Sequence, residues 1–138
     1  MHMKFLVKVI IIILIIIVAA LIICYISGCR IHQVDKDASI VVLHFVSDDT
    51  TKEIPLELST TEAKKIIAIF NWEISFPESY SCPFMENISI EIGRRKYLIP
   101  LDDCCSFNIS GTKTFIKISK EEKEYIKGIF LENGAVLP

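Results

Sequence analysis

The sequence predicts an α+β protein: an N-terminal hydrophobic helix, then a small ββα-βββα domain whose antiparallel sheet carries two helices on one face. Three observations predict this architecture. Residues 9–26 contain no charge, proline or glycine, which is typical of a membrane-spanning helix. Two Ser-x-x-Glu sequences, at Ser59 and Ser119, each follow an apolar segment and predict helix starts. Alternating segments on both sides of Gly93 predict a hairpin.

The first element, residues 1–28, is predicted to be a signal peptide or a transmembrane anchor. As a helix, residues 9–26 would extend about 27 Å, close to the ~30 Å hydrocarbon core of a bilayer. Lys4 and Lys8 precede or flank the apolar run and favour a cytoplasmic N-terminus. We therefore expect the protein at the cell membrane, with a single N-terminal anchor and its domain on the extracytoplasmic side.

The end of the apolar run, Ile26-Ser27-Gly28-Cys29, resembles the lipobox of bacterial lipoproteins. It has that motif's aliphatic residue, two small residues and cysteine. The resemblance implies that residues 1–28 are removed and that Cys29 carries the lipid. It covers only the N-terminal segment. The apolar run is longer than the 7–15 residues usual in a signal peptide, so an uncleaved transmembrane helix is the alternative.

Residues 29–39 are polar and mixed in charge, and they predict a short tether before a domain of residues 40–138. Residues 40–46 are nearly all apolar, which predicts a strand covered on both faces. Residues 52–58 alternate, and Pro55 lacks an amide donor, so this strand is expected at a sheet edge or with a bulge. Ser59 and Glu62 then form a capping box that starts a helix.

The second half of the chain predicts a hairpin, one further strand and a final helix. The hairpin strands are residues 88–92 and 96–101, and residues 102–110 read as a polar connection. Residues 112–118 predict the next strand, and Ser119 with Glu122 repeats the capping box. Asn133-Gly134 predicts the end of the last helix.

This half also resembles small extracytoplasmic domains of low-GC Gram-positive bacteria. The matching features are Cys82 and Cys104 around the hairpin, the helix start at residues 118–122, and a Gly-x-x-x-Pro ending at residues 134–138. The resemblance covers about sixty residues and implies a secreted or membrane-anchored domain, without implying an activity. Cys105 beside Cys104 leaves the matching cysteine open.

The domain cysteines permit more than one pairing. Disulfides are chemically permitted outside the cytoplasm. Cys82 precedes the hairpin, whereas Cys104 and Cys105 follow it. A Cys82–Cys104 bond, a Cys82–Cys105 bond and three free thiols are the alternatives that the sequence leaves.

We expect neither a metal nor another cofactor, and no enzymatic activity. Asp102, Asp103, Cys104 and Cys105 are adjacent residues, and the spaced ligand pairs of zinc sites are missing. His44 lies inside a predicted strand and is expected to be a half-buried strand residue. The sequence contains none of the common catalytic or nucleotide-binding motifs.

Binding is a better prediction than catalysis, and the basic turn Arg94, Arg95 and Lys96 is its candidate site. Such a turn is either a solvated hairpin tip or a contact for an anionic partner, such as lipid headgroups, cell-wall polymer or an acidic protein. Residues 30–138 carry a net charge of −4, which argues against a nucleic-acid partner. The aromatic residues Trp72 and Phe76 and the later Tyr80 could form a binding surface or close the base of the core.

The sequence as a whole thus predicts a membrane-anchored extracytoplasmic binding domain, a lipoprotein whose partners are the membrane and a protein or cell-envelope component. The alternative is a single-pass membrane protein that acts as an accessory subunit of a membrane complex. These two hypotheses differ in whether the apolar helix is retained.

Overall fold

The computed structural model describes residues 2–48, 52–77 and 82–137, which form three helices and one antiparallel sheet of eight strands. The helices are α1 (His2–Ile26), α2 (Thr60–Phe70) and α3 (Lys120–Glu132). The strands are β1 (Arg30–Ile31), β2 (Val41–Phe45), β3 (Ile54–Glu57), β4 (Ile74–Pro77), β5 (Phe84–Ile92), β6 (Arg95–Pro100), β7 (Ser106–Ile109) and β8 (Thr114–Lys117). Their order in the sheet is β1-β4-β8-β7-β6-β5-β2-β3. The predicted α+β class is confirmed.

Helix α1 is exposed along its length. Its segment Met3–Ile26 contains an 18-residue window with a mean hydropathy of 3.7 and no buried part, so the helix is long and apolar enough to cross a membrane. A signal sequence meets the same criterion. The helix ends as the Ser27 hydroxyl donates to the Ile23 carbonyl at 2.8 Å, and Gly28 takes a left-handed φ of 69°.

Helices α2 and α3 begin where the capping boxes predict. In each, the serine side chain accepts from the amide of the glutamate three residues later, and that glutamate accepts from the serine amide. The pairs are Ser59 with Glu62, and Ser119 with Glu122. These reciprocal bonds satisfy amides that the first helical turn leaves free.

Both helices pack against the same face of the sheet. The Phe70 ring of α2 lies 4.6 Å from Tyr97 and 5.2 Å from Phe107, measured between ring centroids. The Phe130 ring of α3 lies 6.1 Å from Phe45. The strand register and the two-residue period place Phe45, Tyr97 and Phe107 on one face. The prediction of two helices on one face is therefore confirmed.

The strand of residues 52–58 lies at an edge, as Pro55 predicts. Strand β3 is the last strand in the sheet order and pairs only with β2 among the described strands. Strand β2 itself is covered less completely than predicted. Its Val41, Leu43 and Phe45 side chains are buried, but Val42 on the opposite face is only half-buried. His44, also on that face, is half-buried as expected.

Three strands were not predicted, and two predicted connections are therefore wrong. Strand β7 lies within residues 102–110, where we expected a polar connection. Strand β1 lies within residues 29–39, where we expected a tether, and it pairs with the unpredicted β4. His32 and Val34 are buried because residues 29–39 pack against the domain and do not form a free tether before it.

Trp72 and Phe76, two of the aromatic residues after α2, lie in different surroundings. Trp72 is 65% exposed, and Phe76 stacks on Phe115 of β8 with ring centroids 6.4 Å apart. Phe84 of β5 also contacts Phe115. Tyr80 lies outside the described residues. Phe76 therefore supports a small aromatic cluster on the sheet, whereas Trp72 is available at the surface.

Candidate functional site

A basic groove of about 800 Å³ lies beside β1 and is the candidate site. We use "basic groove" for the concavity whose cations are Arg30, Lys36, Arg94 and Arg95. Asp35 is the single acidic residue in its lining. Four positive charges against one negative charge favour an anionic ligand.

Strand pairing brings the first basic residue to the groove. Arg30 of β1 is paired with Ser75 of β4, whose hydroxyl donates to the Arg30 carbonyl at 3.0 Å. The next residue but one, His32, donates its amide to the Glu73 carbonyl at 2.7 Å. These bonds hold the short segment of β1 and His32 against β4 and the residue before it.

The β5–β6 hairpin brings Arg94 and Arg95 to the same place. Gly93 occupies the turn with a φ of 62°, which side chains with a Cβ rarely adopt. A Cβ on Gly93 would lie 3.3 Å from the Cβ of Asp35, so the hairpin tip packs closely on the segment that follows β1. The turn and the segment together form the wall of the basic groove.

At the floor of the basic groove, His32, Tyr97 and Arg95 form a hydrogen-bonded cluster. His32 Nε2 lies 2.8 Å from the Tyr97 hydroxyl, and its Nδ1 lies 3.5 Å from Arg95 Nη1. A guanidinium only donates, so Nδ1 accepts and the Nε2 proton is donated to Tyr97. Burial, followed by the positive charge of Arg95, lowers the pKa of His32 to about 4. Burial also raises the pKa of Tyr97. His32 is therefore neutral near pH 7.

The groove cations are free to meet a ligand. Within the described ranges, none of Arg30, Lys36, Arg94 and Arg95 forms an ion pair with a carboxylate. Arg95 donates to His32 and to the Gln33 carbonyl, both at 3.5 Å, and also interacts with the Tyr97 hydroxyl. Their charge is thus not neutralised within the described part of the fold.

Lys96 does not join the basic groove. It follows Arg95 in β6 and points to the opposite face of the sheet, where its ammonium lies 3.7 Å from Glu53. His44 lies on that face as well, between Glu53 at 2.6 Å and Glu91 at 2.8 Å. The predicted basic site is therefore split, with Arg94 and Arg95 in the groove and Lys96 in a cross-strand ion network.

An exposed apolar surface lies near the basic groove at the same edge of the sheet. Ile31 of β1 and Ile74 of β4 are directly paired and are 65% and 59% exposed. Trp72, whose amide donates to the His32 carbonyl at 2.8 Å, is also exposed. We call Ile31, Trp72 and Ile74 the apolar edge.

The cysteines occupy different surroundings. Cys29 is half-buried at the junction between α1 and β1. Cys82 and Cys104 lie together with Asp102, with one ligand atom from each within 4.8 Å of the others. Cys105 is not part of this cluster. Adjacent residues at 102–105 gave no reason to expect three potential ligands in one place, and Cys82 supplies the third across the hairpin.

Three groove residues were missed by the sequence prediction. Arg30, His32 and Lys36 belong to the segment that we interpreted as a tether, and the backbone contacts of Arg30 and His32 join residues forty or more positions apart. Apolar Ile31 is exposed and polar His32 is buried, the reverse of what their side chains suggest, so the sequence offered no local signal for this strand. None of the protein-family models, curated proteins and solved structures compared with this chain matches it. The basic groove and the apolar edge are therefore the features of the molecule that bear on its function.

Proposed function

We propose that this chain is a membrane-anchored extracytoplasmic binding protein whose basic groove holds the anionic headgroups of the membrane that anchors it. The observation that carries the proposal is the position of the groove in the chain. Arg30, a groove residue, follows the end of α1 by four residues. Four residues of extended chain span at most about 14 Å.

Both routes of anchoring keep the basic groove near the membrane surface. If α1 is retained, the groove begins within about 14 Å of the helix end. If the chain is a lipoprotein that begins at a lipidated Cys29, Arg30 is the next residue and the distance is shorter. The attraction between exposed charges falls off over about 8 Å at physiological salt. A groove tied to the membrane by so short a segment can reach the headgroups, which favours them over a distant partner.

The apolar edge supports the same partner. Trp side chains are enriched at the interface between lipid and water, where their rings sit at headgroup level. Trp72, Ile31 and Ile74 present such a surface beside the basic residues. Cations for headgroup phosphates together with apolar side chains for the acyl boundary are typical of a protein surface that lies on a membrane.

Tryptophan fluorescence of the full-length chain tests the membrane contact, because Trp72 is the only tryptophan. The chain is reconstituted into vesicles of zwitterionic lipid alone and into vesicles that also contain an anionic phospholipid. We expect the anionic vesicles to shift Trp72 emission to shorter wavelength, and added salt to reverse the shift. Each basic residue near an anionic surface contributes about 1 kcal/mol.

The variant Arg94→Gln/Arg95→Gln should remove about 2 kcal/mol of this attraction, a change of about 30-fold in the docking equilibrium. The matched control is Lys96→Gln, which removes a neighbouring charge that faces Glu53 on the other side of the sheet. An emission that is the same in both kinds of vesicle, or an equal loss in the Lys96 control, would contradict the proposal.

The intact mass of the membrane-extracted protein tests whether the chain is cleaved before Cys29 and lipidated there. A mass equal to residues 29–138 plus lipid, lost in Cys29→Ala, is expected for a lipoprotein. An unprocessed chain of 15.7 kDa would show that α1 is permanent.

One contact favours that second candidate, a single-pass accessory subunit of a membrane complex. A Cβ on Gly28 would lie 2.9 Å from Cγ of Pro77, so the last residue of the leader packs on β4. A leader that is removed would lose this contact. If the mass is that of the unprocessed chain, the search for partners turns to proteins within the membrane.

A further inference from the structure

Cys82 and Cys104 lie at the open end of the β5–β6 hairpin. Strand pairing brings them there, since Phe84 at the start of β5 is paired with Pro100 at the end of β6. One further backbone hydrogen bond continues the ladder beyond this pair. The chain segments that carry the two cysteines therefore leave the sheet side by side.

A turn then directs Cys104, and not Cys105, toward Cys82. The Cys104 amide donates to Oδ1 of Asp102 at 3.0 Å, which folds the loop back on itself. The Cys82 and Cys104 sulfur atoms lie within 4.8 Å of each other. The Cys105 thiol instead donates to the Asp103 carbonyl at 3.8 Å.

We propose that Cys82 and Cys104 form a disulfide that closes the base of the hairpin and leaves Cys105 as a thiol. The bond forms by exchange with an oxidant that itself carries a disulfide, as small-molecule and protein oxidants do outside the cytoplasm. Each protein thiol gives up a proton, one S–S bond forms between Cys82 and Cys104, and the S–S bond of the oxidant is reduced to two thiols. The bond does not depend on the basic groove.

The same atoms could hold a thiophilic metal ion, but the charge of Lys123 disfavours a metal ion at this position. Its side chain is 2% exposed, and its ammonium donates to the Asp102 carbonyl and, at 2.5 Å, to the Cys104 carbonyl. This buried positive charge would repel a divalent cation in the cluster, whereas a disulfide carries no charge.

Treatment of the reduced full-length chain, in detergent, with oxidised glutathione tests the pair. After remaining thiols are alkylated, proteolysis and mass spectrometry under non-reducing conditions locate the bond. We expect one peptide pair joined through Cys82 and Cys104, with Cys105 alkylated or carrying glutathione. Cys105→Ser should close the same bond, and Cys104→Ser should not be able to form it.

A bond between Cys82 and Cys105, or glutathione on both Cys82 and Cys104 without closure, would overturn the proposal. Protection of the reduced thiols by added Zn²⁺, reversed by a chelator, in a chain that glutathione fails to close would also overturn it and identify a metal site. The unmodified sequence gives the linkage directly, so the test does not depend on whether a variant folds.

The state of the pair in cells separates this proposal from the proposed function. Protein whose thiols are blocked during extraction should already contain the Cys82–Cys104 bond. In one outcome, glutathione closes the bond in the purified chain while the extracted protein is found reduced. That result would support the Cys82–Cys104 pairing and contradict the proposed extracytoplasmic location.

Discussion

Acidification should destabilise the domain through His32, a residue that is 5% exposed and whose ring is hydrogen-bonded to Tyr97. The folded state holds this imidazole neutral, with its pKa lowered from 6.5 to about 4 by burial and by Arg95. The unfolded chain binds a proton below pH 6.5, whereas the folded state resists protonation until about pH 4. Stability contributed by the neutral ring is therefore complete above pH 6.5 and falls as the pH drops from 6.5 to about 4.

The size of this loss follows from the two pKa values. Each pH unit between them corresponds to about 1.4 kcal/mol, so the His32 contribution is at most about 3 kcal/mol. The ring lines the open basic groove, and water that reaches it there reduces the loss below this bound.

Urea unfolding of the full-length chain in detergent, followed by Trp72 fluorescence, measures the effect at a series of pH values. In His32→Gln the uncharged amide keeps a donor for Tyr97 but cannot titrate, so the pH dependence should be shallower by up to about 3 kcal/mol between pH 6.5 and about 4. His44→Gln is the control, because it removes another histidine and leaves the His32 cluster intact. If the unfolding free energy of His32→Gln falls as steeply as that of the unmodified protein, the reasoning about His32 is refuted.

Two further substitutions test the packing around the sheet. Lys123→Met removes the buried ammonium that donates to two loop carbonyls. Each carbonyl left without a partner costs about 1–3 kcal/mol, and hydrogen bonds to water offset part of that cost. We therefore expect the unfolding free energy to fall by about 2 kcal/mol. Lys64→Met on the exposed face of α2 should change stability by less than about 0.5 kcal/mol, and an equal effect at both lysines would contradict the role of Lys123. Phe70→Ala removes a fully buried ring from the Tyr97 contact and should cost about 3–5 kcal/mol in the same urea assay; a loss under about 1 kcal/mol would show that α2 does not pack as described.

The parts of the fold that the sequence predicted correctly have short-range causes. A capping box needs only a serine and the glutamate three residues later, and both pairs form as expected. Pro55 predicted an edge strand because a missing amide donor is a property of the residue itself. Each of these predictions depends only on residues that lie within a few positions of one another in the sequence.

The missed strands depend on partners far away in the chain. Strand β1 has two residues and pairs with β4, more than forty positions later. Strand β7 lies next to two cysteines and a polar turn, and its pairing with β6 and β8 is what makes it a strand. No local pattern distinguishes these segments from loops, because the energy that orders them comes from the sheet and the core.

In the candidate site, too, some features follow from local sequence and others depend on distant strand pairing. Arg94 and Arg95 could be predicted as a basic turn, but their separation from Lys96 requires the start of β6. Adjacent strand residues point to opposite faces, so Lys96 leaves the groove as soon as the strand begins at Arg95. Arg30 could not be assigned to the groove, because only the pairing of β1 brings it there.

The junction between α1 and the domain limits how the basic groove would meet a membrane in the proposed arrangement. A flexible tether over residues 29–39 would let the domain turn freely, but only residues 27–29 separate α1 from β1. Strand β1 is hydrogen-bonded to β4, so the first residue held by the sheet, Arg30, is itself a groove residue. The proposed membrane contact therefore requires the β1–β4 pairing as much as it requires the charges. A change that breaks this pairing should abolish the lipid-dependent shift of Trp72 emission while the chain remains anchored.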